Sequence, residues 1–355
     1  MHHKKLFAFL LTALSVFLLV GCGGQKKAKE NPAAPKNGTA VKVLKGEYII
    51  SDNKDEPSSG KGYLALKLRL KNNGSPVRLS SISNFKLKSK SDDELNPVSI
   101  YGTGDEFSTI SSMELDEDDD STGYVLFLVD KKSKYTLEVK PTSKKAKEVP
   151  KSKVKIDASK YKDNTSQAKD AVSAYVDSVF LNQSDKDDQY EKLLTNELLT
   201  EKNSYRRTMR SYLENTVFHS PIVDKAANKM MDQFQTANAE QASVSYQIKE
   251  ATPTAATVEV TPTVMDLSNV SNVISQTSSN LLKSDKLPEG TTYTQVQRAA
   301  KEMVVAKFAD VLKQIPARER TSAEIRLVKN GKKWRISTSD YGFKSVRDKF
   351  MGQAY

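Results

Sequence analysis

Cysteine and histidine are scarce in this sequence. Its 355 residues include one cysteine, Cys22, and three histidines. A chain with a single thiol forms no internal disulfide bond, and it cannot supply a zinc site that needs several cysteines. Apolar runs are also short, since the stretch over residues 6–20 falls below the roughly 20 residues that a membrane-spanning helix needs.

The N-terminal segment nevertheless has the three parts of an export signal. Lys4 and Lys5 form a basic start, and the apolar stretch ends in the tetrapeptide Leu19-Val20-Gly21-Cys22. This tetrapeptide resembles the lipobox of bacterial lipoproteins. The resemblance implies export, cleavage between Gly21 and Cys22, and attachment of a diacylglyceryl group to the Cys22 sulfur.

Two acyl chains, with palmitate as the expected one, hold a folded domain stably at a membrane. Each buried CH₂ contributes about 0.8 kcal/mol, and one chain alone anchors only marginally. We therefore predict a signal peptide over residues 1–21 and a lipid anchor at Cys22 on the extracytoplasmic face of the cell membrane. The alternatives are an ordinary secretory signal followed by an incidental cysteine, and an uncleaved N-terminal helix.

Loss of the signal removes two of the three histidines and leaves His219 as the remaining imidazole. A serine hydrolase would depend on this one side chain, and no Gly-x-Ser-x-Gly motif accompanies it. The neighbouring Ser220 and Pro221 are typical of a helix N-cap and a first helical residue, which predicts a structural loop histidine. The sequence therefore predicts no catalytic residue, no cofactor and no metal site.

Positive charge is in excess. The formal net charge is +11, and removal of Lys4 and Lys5 with the signal leaves +9. In an exported protein this charge favours anionic envelope polymers, lipid headgroups or another envelope protein as partners, and nucleic acid is not expected. Residues 22–40 are predicted to be a flexible tether. Residues 141–163 are predicted to be a lysine-rich linker, with a dedicated polyanion site as the alternative.

Residues 41–140 show the alternation of β-strands. Over residues 63–71, leucines occupy every second position, which predicts one packed face and one solvent face. Further strands are predicted at residues 85–88, 123–129 and 135–139. These strands resemble the immunoglobulin-like domain of uncharacterised Gram-positive lipoproteins. The resemblance implies a β-sandwich that acts as an interaction or spacer module and supplies no catalytic residue.

An acidic cluster occupies residues 114–120. Asp116, Asp118 and Asp120 match the first, third and fifth positions of an EF-hand loop. However, Ser121 replaces the sixth-position glycine, and Phe127 replaces the bidentate glutamate. The cluster therefore predicts a solvated turn, with a weak exposed calcium site as the alternative.

From residue 164 the apolar period becomes helical. Helices are predicted around residues 168–180, 200–213, 220–234 and 293–315, with another beginning at Asp266 or Ser268. Strands are predicted around residues 244–248 and 258–264. Tyr175, Tyr205 and Tyr212 are predicted to fill the core, with a tyrosine-lined pocket as the alternative.

The clearest turn signal is Asn330-Gly331, which favours a two-residue type I′ hairpin. Such a turn would place Leu327 opposite Trp334 and Ile325 opposite Ile336. All four apolar side chains would then share one face, so the only tryptophan of the chain is predicted to be buried.

Helices, antiparallel strands and this hairpin together resemble the cystatin-like fold of the nuclear transport factor type, which often encloses a pocket. The predicted fold class is an N-terminal all-β immunoglobulin-like sandwich over residues 41–140, followed by an α+β domain over residues 164–355 with several helices and an antiparallel sheet. The predicted function is a non-catalytic binding or assembly module at the cell envelope. The alternatives are a carboxylate-dependent envelope enzyme acting on glycan or peptide, and a ligand-free structural spacer.

Overall fold

The computed structural model describes residues 37–51, 57–100, 107–145, 148–284 and 287–353. All of them belong to one compact unit, Ala33–Tyr355. The predicted signal peptide, its cleavage site at Gly21 and the lipid anchor at Cys22 lie outside the described residues. The first strand begins at Thr39, so the last residues of the predicted tether already belong to the fold.

The first half of the chain forms antiparallel sheets. Its elements are β1 (Thr39–Ile49), β2 (Lys61–Asn72), β3 (Val77–Ser80), α1 (Ser81–Asn84), β4 (Phe85–Lys88), β5 (Glu94–Leu95), β6 (Ser112–Leu115), β7 (Asp120–Asp130), β8 (Lys134–Val139) and β9 (Ser152–Asp157). One sheet has the strand order β1-β2-β7 and another β5-β4-β8-β9, with the pair β3-β6 beside them. Leu66 and Phe127 of the first sheet are buried in one core with Leu87 and Leu137 of the second. The predicted all-β first half is confirmed, because alternating side chains of both sheets meet in this core.

The second face of β2 is covered only at the start of the strand, which corrects the predicted solvent face there, whereas Arg69 and Lys71 are exposed as predicted. Tyr63 and Ala65 are buried in a separate cluster with Phe107 and Tyr124. The rings of Phe107 and Tyr124 stack with their centroids 4.3 Å apart. The strand pattern did not predict this because residues distant in sequence cover that face.

A strand replaces part of the predicted linker. β9 pairs with β8, and Val154 lies opposite Leu137. Val154 and Ile156 are buried, while Lys153 and Lys155 are exposed. The high lysine content of residues 141–163 concealed this alternation, and the linker prediction is wrong for residues 152–157.

The second half combines helices with an antiparallel sheet, as predicted. Its helices are α2 (Gln167–Tyr175), α3 (Asp187–Leu193), α4 (Leu198–Tyr212), α5 (Asp224–Gln241), α6 (Asn269–Leu282), α7 (Tyr293–Ala306), α8 (Phe308–Leu312) and α9 (Tyr341–Phe350). Its strands are β10 (Ser243–Ala251), β11 (Ala255–Met265), β12 (Ala317–Glu319), β13 (Ala323–Asn330) and β14 (Lys333–Ile336). The strand order is β10-β11-β13-β14, and β12 also pairs with β11. Val258 and Ile325 of the sheet share one buried core with Phe180 and Phe234 of the helical layer.

The helix predicted to start at Ser220 and Pro221 begins later. Asp224 is the first residue of α5, and Val223 is its N-cap. The predicted start is wrong because Ser220 belongs to the end of the preceding helix, where its backbone N–H donates to the carbonyl of Glu214 over 2.9 Å. Residues 220–223 therefore form a connecting segment between two helices rather than a first helical turn.

The helix predicted over residues 293–315 begins as expected and breaks early. Thr292 and Gln295 form a capping box in front of Tyr293. At Lys307 the backbone leaves the helical region, with ψ at 24°. The predicted single helix is therefore two helices, α7 and α8.

The terminal hairpin forms, but its register differs from the predicted one. Leu327 lies opposite Ile336 rather than Trp334, and Gly331 and Lys332 form the turn. Gly331 has a φ of +62°, while Lys332 stays out of the left-handed region, which is the pattern of a type II′ turn with glycine first. Because each partner moves by two positions, the same side chains keep the same face, and Trp334 is buried at 4% exposure.

Backbone pairing ties the first half to the sheet of the second. Ile50, directly after β1, and Ala251, at the end of β10, exchange two hydrogen bonds of 2.9 Å. Nearby, the ammonium group of Lys329 lies 4.1 Å from the centroid of the Trp334 ring. The end of β1 therefore continues the edge of the second sheet.

Candidate functional site

An open groove lies between the segment of residues 218–226 and α7. It encloses about 630 Å³. Its apolar lining consists of Phe218, Pro221, Ile222, Val223, Ala226, Val305 and Ala306. Its polar lining consists of Ser220, Thr294, Gln297, Arg298, Lys301 and Glu302. An apolar cleft of this size with a few polar groups is typical of a site for a small organic ligand or a peptide.

The helical period of α7 explains which side chains line the groove. Val296, Ala300 and Val304 recur every four residues and are buried against the rest of the fold. The positions that follow each of them share the neighbouring side of the helix. These positions are Gln297, Lys301 and Val305, and all three line the groove.

Positive charge prevails at the rim of the groove. Arg298 and Lys301 lie in its lining with one carboxylate, that of Glu302. Neither cation forms an ion pair within the described part of the chain. Both are therefore available to an anionic group on a ligand.

Arg210 of α4 holds the opposite wall in place. Its Nη2 donates to the carbonyl of Ile222 over 3.3 Å and lies 2.7 Å from a carboxylate oxygen of Asp224. Glu214 accepts a hydrogen bond from the backbone N–H of Ile222 over 3.2 Å. Hydrogen bonds with Asp224 and Glu214 raise the pKa of Arg210. Beside this network Val223 is 78% exposed and presents an apolar side chain at the rim.

A second, polar concavity lies at the edge of the sheet β5-β4-β8-β9. It encloses about 780 Å³. Its charged lining consists of Lys86, Lys140, Lys151, Glu94, Glu138 and Glu148. Burial alone would raise the pKa of Glu138, but the hydrogen bond from Lys153 and the charges of Lys151 and Lys88 hold it below its ordinary value. Equal numbers of lysines and carboxylates leave this concavity without net charge.

A buried charged cluster is formed by the segment between β11 and α6, by Arg320 directly after β12, and by α9. Asp266 Oδ2 lies 3.3 Å from Arg320 Nη2, and the two side chains are 7% and 8% exposed. Ser268 donates to Asp266 Oδ1 from its backbone N–H over 3.0 Å and from its hydroxyl over 2.5 Å. Lys349, itself 3% exposed, donates to the hydroxyl of Ser345 over 2.9 Å.

Burial and neighbouring charges act together on this cluster. Burial alone would raise the pKa of Asp266, but the Ser268 hydrogen bonds and the Arg320 charge lower it below its ordinary value. Burial, and then the charge of Arg320, lower the pKa of Lys349. Nε and Nη2 of Arg320 form no aligned hydrogen bond within the described ranges. Arg320 thus faces the buried carboxylate of Asp266 on one side and repels the ammonium group of Lys349 on the other, an arrangement that no local sequence motif predicts.

Tyr175 and Tyr205 are core residues, as predicted, at 1% and 2% exposure. Tyr175 donates to Glu201 over 2.7 Å, and Tyr205 donates to the carbonyl of Phe350 over 2.9 Å. Burial is the main cause of the raised pKa of each phenol. Tyr212 is only partly buried and donates to the carbonyl of Gly352 over 3.3 Å. The hydrogen bonds of Tyr205 and Tyr212 tie α4 to the C-terminal end of the fold, and that of Tyr175 ties α2 to α4.

His219 is exposed on the turn that follows α4 and adopts a φ of +47°. α4 continues through a π-helical turn, Leu213–Val217, which ends just before this residue. The hydroxyl of Ser220 donates to the carbonyl of Phe218 over 3.2 Å. His219 and Ser220 therefore belong to a helix-terminating turn, and the Ser220 hydroxyl is directed to backbone rather than to the imidazole.

The acidic segment 114–120 is tied to its neighbouring strands. Glu114 forms an ion pair with Arg78, and Asp120 forms one with Arg69. Asp118 adopts a left-handed φ of +67°, as a tight turn requires. Among the residues that the structure describes, no group of three or more His, Cys, Asp or Glu side chains is arranged to hold a metal ion.

Sequence reasoning missed Gln297, Arg298 and Lys301 as site residues. The helical period of α7 was available, but the wall opposite was misassigned as the first turn of a helix. A groove requires two walls, and one of them is the segment before α5. The groove could therefore be predicted only with the true start of α5 at Asp224.

The geometry defines a protein with an antiparallel β half and an α+β half that carries an open groove. No helix in the described part of the chain has both the length and the apolar character needed to cross a membrane. Residues 158–351 match the family described as Domain of unknown function (DUF5105), and the chain belongs to this family. Residues 35–154 match a second family, Domain of unknown function (DUF4352). No curated protein matches the chain.

Three solved structures from Bacillus are similar to this chain. The ycdA protein from Bacillus subtilis, named as a candidate lipoprotein, has a TM-score of 0.66 at 18% identity, over 91% of this chain and 98% of that chain. This similarity shows a shared fold. The yjhA protein from Bacillus subtilis has a TM-score of 0.28 at 20% identity, over 36% of this chain and 97% of its own. A conserved hypothetical protein from Bacillus anthracis has a TM-score of 0.25 at 13% identity, over 36% of this chain and 93% of its own.

Proposed function

We propose that this protein is a lipid-anchored binding protein on the extracytoplasmic face of the cell membrane. It holds, without catalysis, a ligand with an apolar body and an anionic group in the groove between residues 218–226 and α7. The observation that carries this proposal is the groove itself, with its apolar lining and with Arg298 and Lys301 at its rim, which form no ion pair within the described residues. The lining removes the ligand body from water, and the two cations attract its acidic group.

Two observations support the anchor. The tetrapeptide Leu19-Val20-Gly21-Cys22 follows a basic start and an apolar stretch. The fold is shared with ycdA, which is itself named as a candidate lipoprotein. We further propose that residues 41–140, together with β9, form an immunoglobulin-like domain. Residues 164–355 form a cystatin-like domain.

The anchor predicts that Cys22→Ser releases the protein from membranes, because serine offers no sulfur for the diacylglyceryl group. In a Gram-positive host, the wild-type chain is expected in the membrane fraction with labelled palmitate attached, and Cys22→Ser is expected in the soluble fraction or the medium without label. Gly24→Ser makes a similar small change two positions away and is expected to behave as wild type. Equal membrane retention of Cys22→Ser would contradict the anchor.

The groove predicts saturable binding of a fluorescent fatty acid such as dansyl-undecanoic acid. Combined Arg298→Gln and Lys301→Gln is expected to weaken this binding roughly tenfold or more, because a hydrogen bond to a charged group contributes about 1.5–3 kcal/mol. The measurement is a fluorescence titration of the Ala33–Tyr355 chain. The corresponding uncharged alcohol is expected to bind more weakly than the acid.

Lys283→Gln is the matched control, since Lys283 is exposed after α6 and lies outside the groove. It is expected to leave the dissociation constant of the fatty acid unchanged. If the variant with Arg298→Gln and Lys301→Gln bound the fatty acid as tightly as wild type, the fatty acid would bind elsewhere. This result would contradict the groove as the binding site. Hydrolysis of envelope glycan or peptide by the same chain would favour the enzyme instead, and absence of saturable binding would favour the spacer.

A further inference from the structure

The outer face of the sheet β5-β4-β8-β9 is rich in lysines. Phe85, Leu87, Val154 and Ile156 alternate into the core, so the positions between them point outward. We define the lysine face as Lys86, Lys88, Lys134, Lys151, Lys153 and Lys155. The last three fall in the segment that the sequence predicted as a linker, and only the pairing of β9 with β8 brings them beside the others.

The strand register arranges these lysines in rows across the sheet. Lys86 lies opposite Glu138, which lies opposite Lys153. Along the next row Lys88 lies opposite Thr136, which lies opposite Lys155. Neighbouring strands are about 4.8 Å apart, so the ammonium groups form a broad array across the sheet. At its edge, Lys86 and Lys151 also line the polar concavity described above.

Carboxylates on this face neutralise only part of its charge. Glu138 lies 3.0 Å from Lys153 and 3.5 Å from Lys151, and Glu94 lies 3.1 Å from Lys88. Asp157 pairs more loosely with Lys134, at 3.8 Å. Six lysines therefore face three carboxylates, and Lys155 has no ion pair within the described residues. The exposed side chains of Lys134 and Lys153, at 64% and 54%, are accessible to a large anionic surface.

The N-terminal end of the described chain lies at a corner of this face. The hydroxyl of Ser152, the first residue of β9, donates to the carbonyl of Thr39, the first residue of β1. If Cys22 carries the lipid, as in the proposed function, the intervening residues hold this corner within about 60 Å of the membrane, because an extended chain spans at most about 3.3–3.6 Å per residue. A broad cationic face at the anchored corner therefore fits the lipid surface better than a single bound polymer strand.

We infer that the lysine face docks the protein on anionic lipid headgroups. The contact is electrostatic and shallow, so it falls with salt as the Debye length shortens. It orients a protein that the lipid on Cys22 holds nearby. The contact itself needs no lipid on Cys22, so its failure and the failure of the anchor give different results.

The test uses the Ala33–Tyr355 chain, which forms one compact unit without the predicted lipid site. Co-sedimentation with vesicles of equal parts phosphatidylglycerol and phosphatidylcholine is expected to show binding that weakens between 50 and 300 mM salt. The triple variant Lys134→Gln, Lys153→Gln and Lys155→Gln is expected to lower the partition coefficient on the order of a hundredfold, about fivefold for each lysine. Vesicles of phosphatidylcholine alone are expected to bind neither chain.

Lys225→Gln, Lys229→Gln and Lys344→Gln together form the matched control, because they remove the same charge from exposed helical positions of the second half. This control is expected to bind nearly as well as wild type. Thermal unfolding of each variant checks that it folds. If both triple variants lost vesicle binding equally, the binding would depend on net charge alone and not on the lysine face. This result would overturn the inference. Binding to poly(glycerol phosphate) without binding to anionic vesicles would also overturn it, in favour of an envelope polymer.

Discussion

Asp266→Asn is expected to lower the free energy of unfolding by about 3–5 kcal/mol, because removal of one partner leaves a buried charge without compensation. Asp266 is the carboxylate that faces Arg320 at 3.3 Å, with both side chains more than nine-tenths buried. Lys349 adds a second buried cation, whose pKa burial and Arg320 already lower. Loss of the carboxylate therefore leaves Arg320 without its buried ion-pair partner, next to a second buried cation. Urea unfolding at pH 7, followed by circular dichroism, measures the change.

Asp310→Asn is the matched control, since Asp310 is 68% exposed and its ion pair with Lys313 is solvated. It is expected to change the free energy of unfolding by less than about 1 kcal/mol. Arg320→Met combined with Asp266→Asn is expected to cost less than the sum of the two single variants, because the double variant removes both members of the pair. Additive losses would show that Asp266 and Arg320 do not stabilise each other.

The same aspartate predicts part of the acid sensitivity of the fold. Its folded-state pKa is lowered from the ordinary 3.8, so its contribution is present above the unfolded-state pKa and is lost as pH falls through the folded-state value. Stability of the wild type is therefore expected to fall more steeply below about pH 4 than that of Asp266→Asn. Parallel pH slopes in this window would contradict the lowered pKa.

Phe180→Ala is expected to lower the free energy of unfolding by about 3–5 kcal/mol, because it opens a cavity in the aromatic centre of the second half. Phe180 is 1% exposed. Its ring centroid lies 5.1 Å from that of Phe350, 5.2 Å from that of Tyr205 and 5.3 Å from that of Tyr175. These rings belong to three different helical segments, so one truncation weakens the packing of all of them. Denaturant unfolding of the purified chain measures the loss.

Leu199→Ala is the control for Phe180→Ala. It tests whether the loss of stability depends on the burial of the truncated side chain or only on the removal of apolar atoms. Leu199 lies in the first turn of α4 and is 64% exposed. Its truncation is expected to change stability by less than about 0.5 kcal/mol. A loss below about 1 kcal/mol for Phe180→Ala would mean that neighbouring rings collapse into the space and that the aromatic centre is adaptable.

Local patterns predicted much of the secondary structure for a simple reason. The alternation over residues 63–71 and the apolar run over residues 123–129 are properties of neighbouring positions, and the strands β2 and β7 form there, although the start of β2 and most of β7 are buried on both faces. The capping box of Thr292 and Gln295 is equally local, and it marks the start of α7. The lipobox-like tetrapeptide at residues 19–22 is likewise read from adjacent residues, and it remains a prediction that Cys22→Ser tests.

Features set by distant partners were mispredicted or missed. The hairpin turn moved from Asn330-Gly331 to Gly331 and Lys332, because β13 must also pair with β11 while the same apolar face stays buried. The groove needed the true start of α5, and that start depends on how α4 ends at Glu214 and Ser220.

By itself, the sequence determined the order of a β half and an α+β half, the scarcity of thiols and imidazoles, and the signal that predicts a lipid anchor. These depend on composition and on residues close together in the chain. Only the tertiary structure decided that the lysines of residues 151–155 join those of β4 and β8 on one face, and that Asp266, Arg320 and Lys349 meet inside the fold. Both depend on strand pairing and packing between residues far apart in the chain. These long-range contacts decide which charged side chains form ion pairs and which do not.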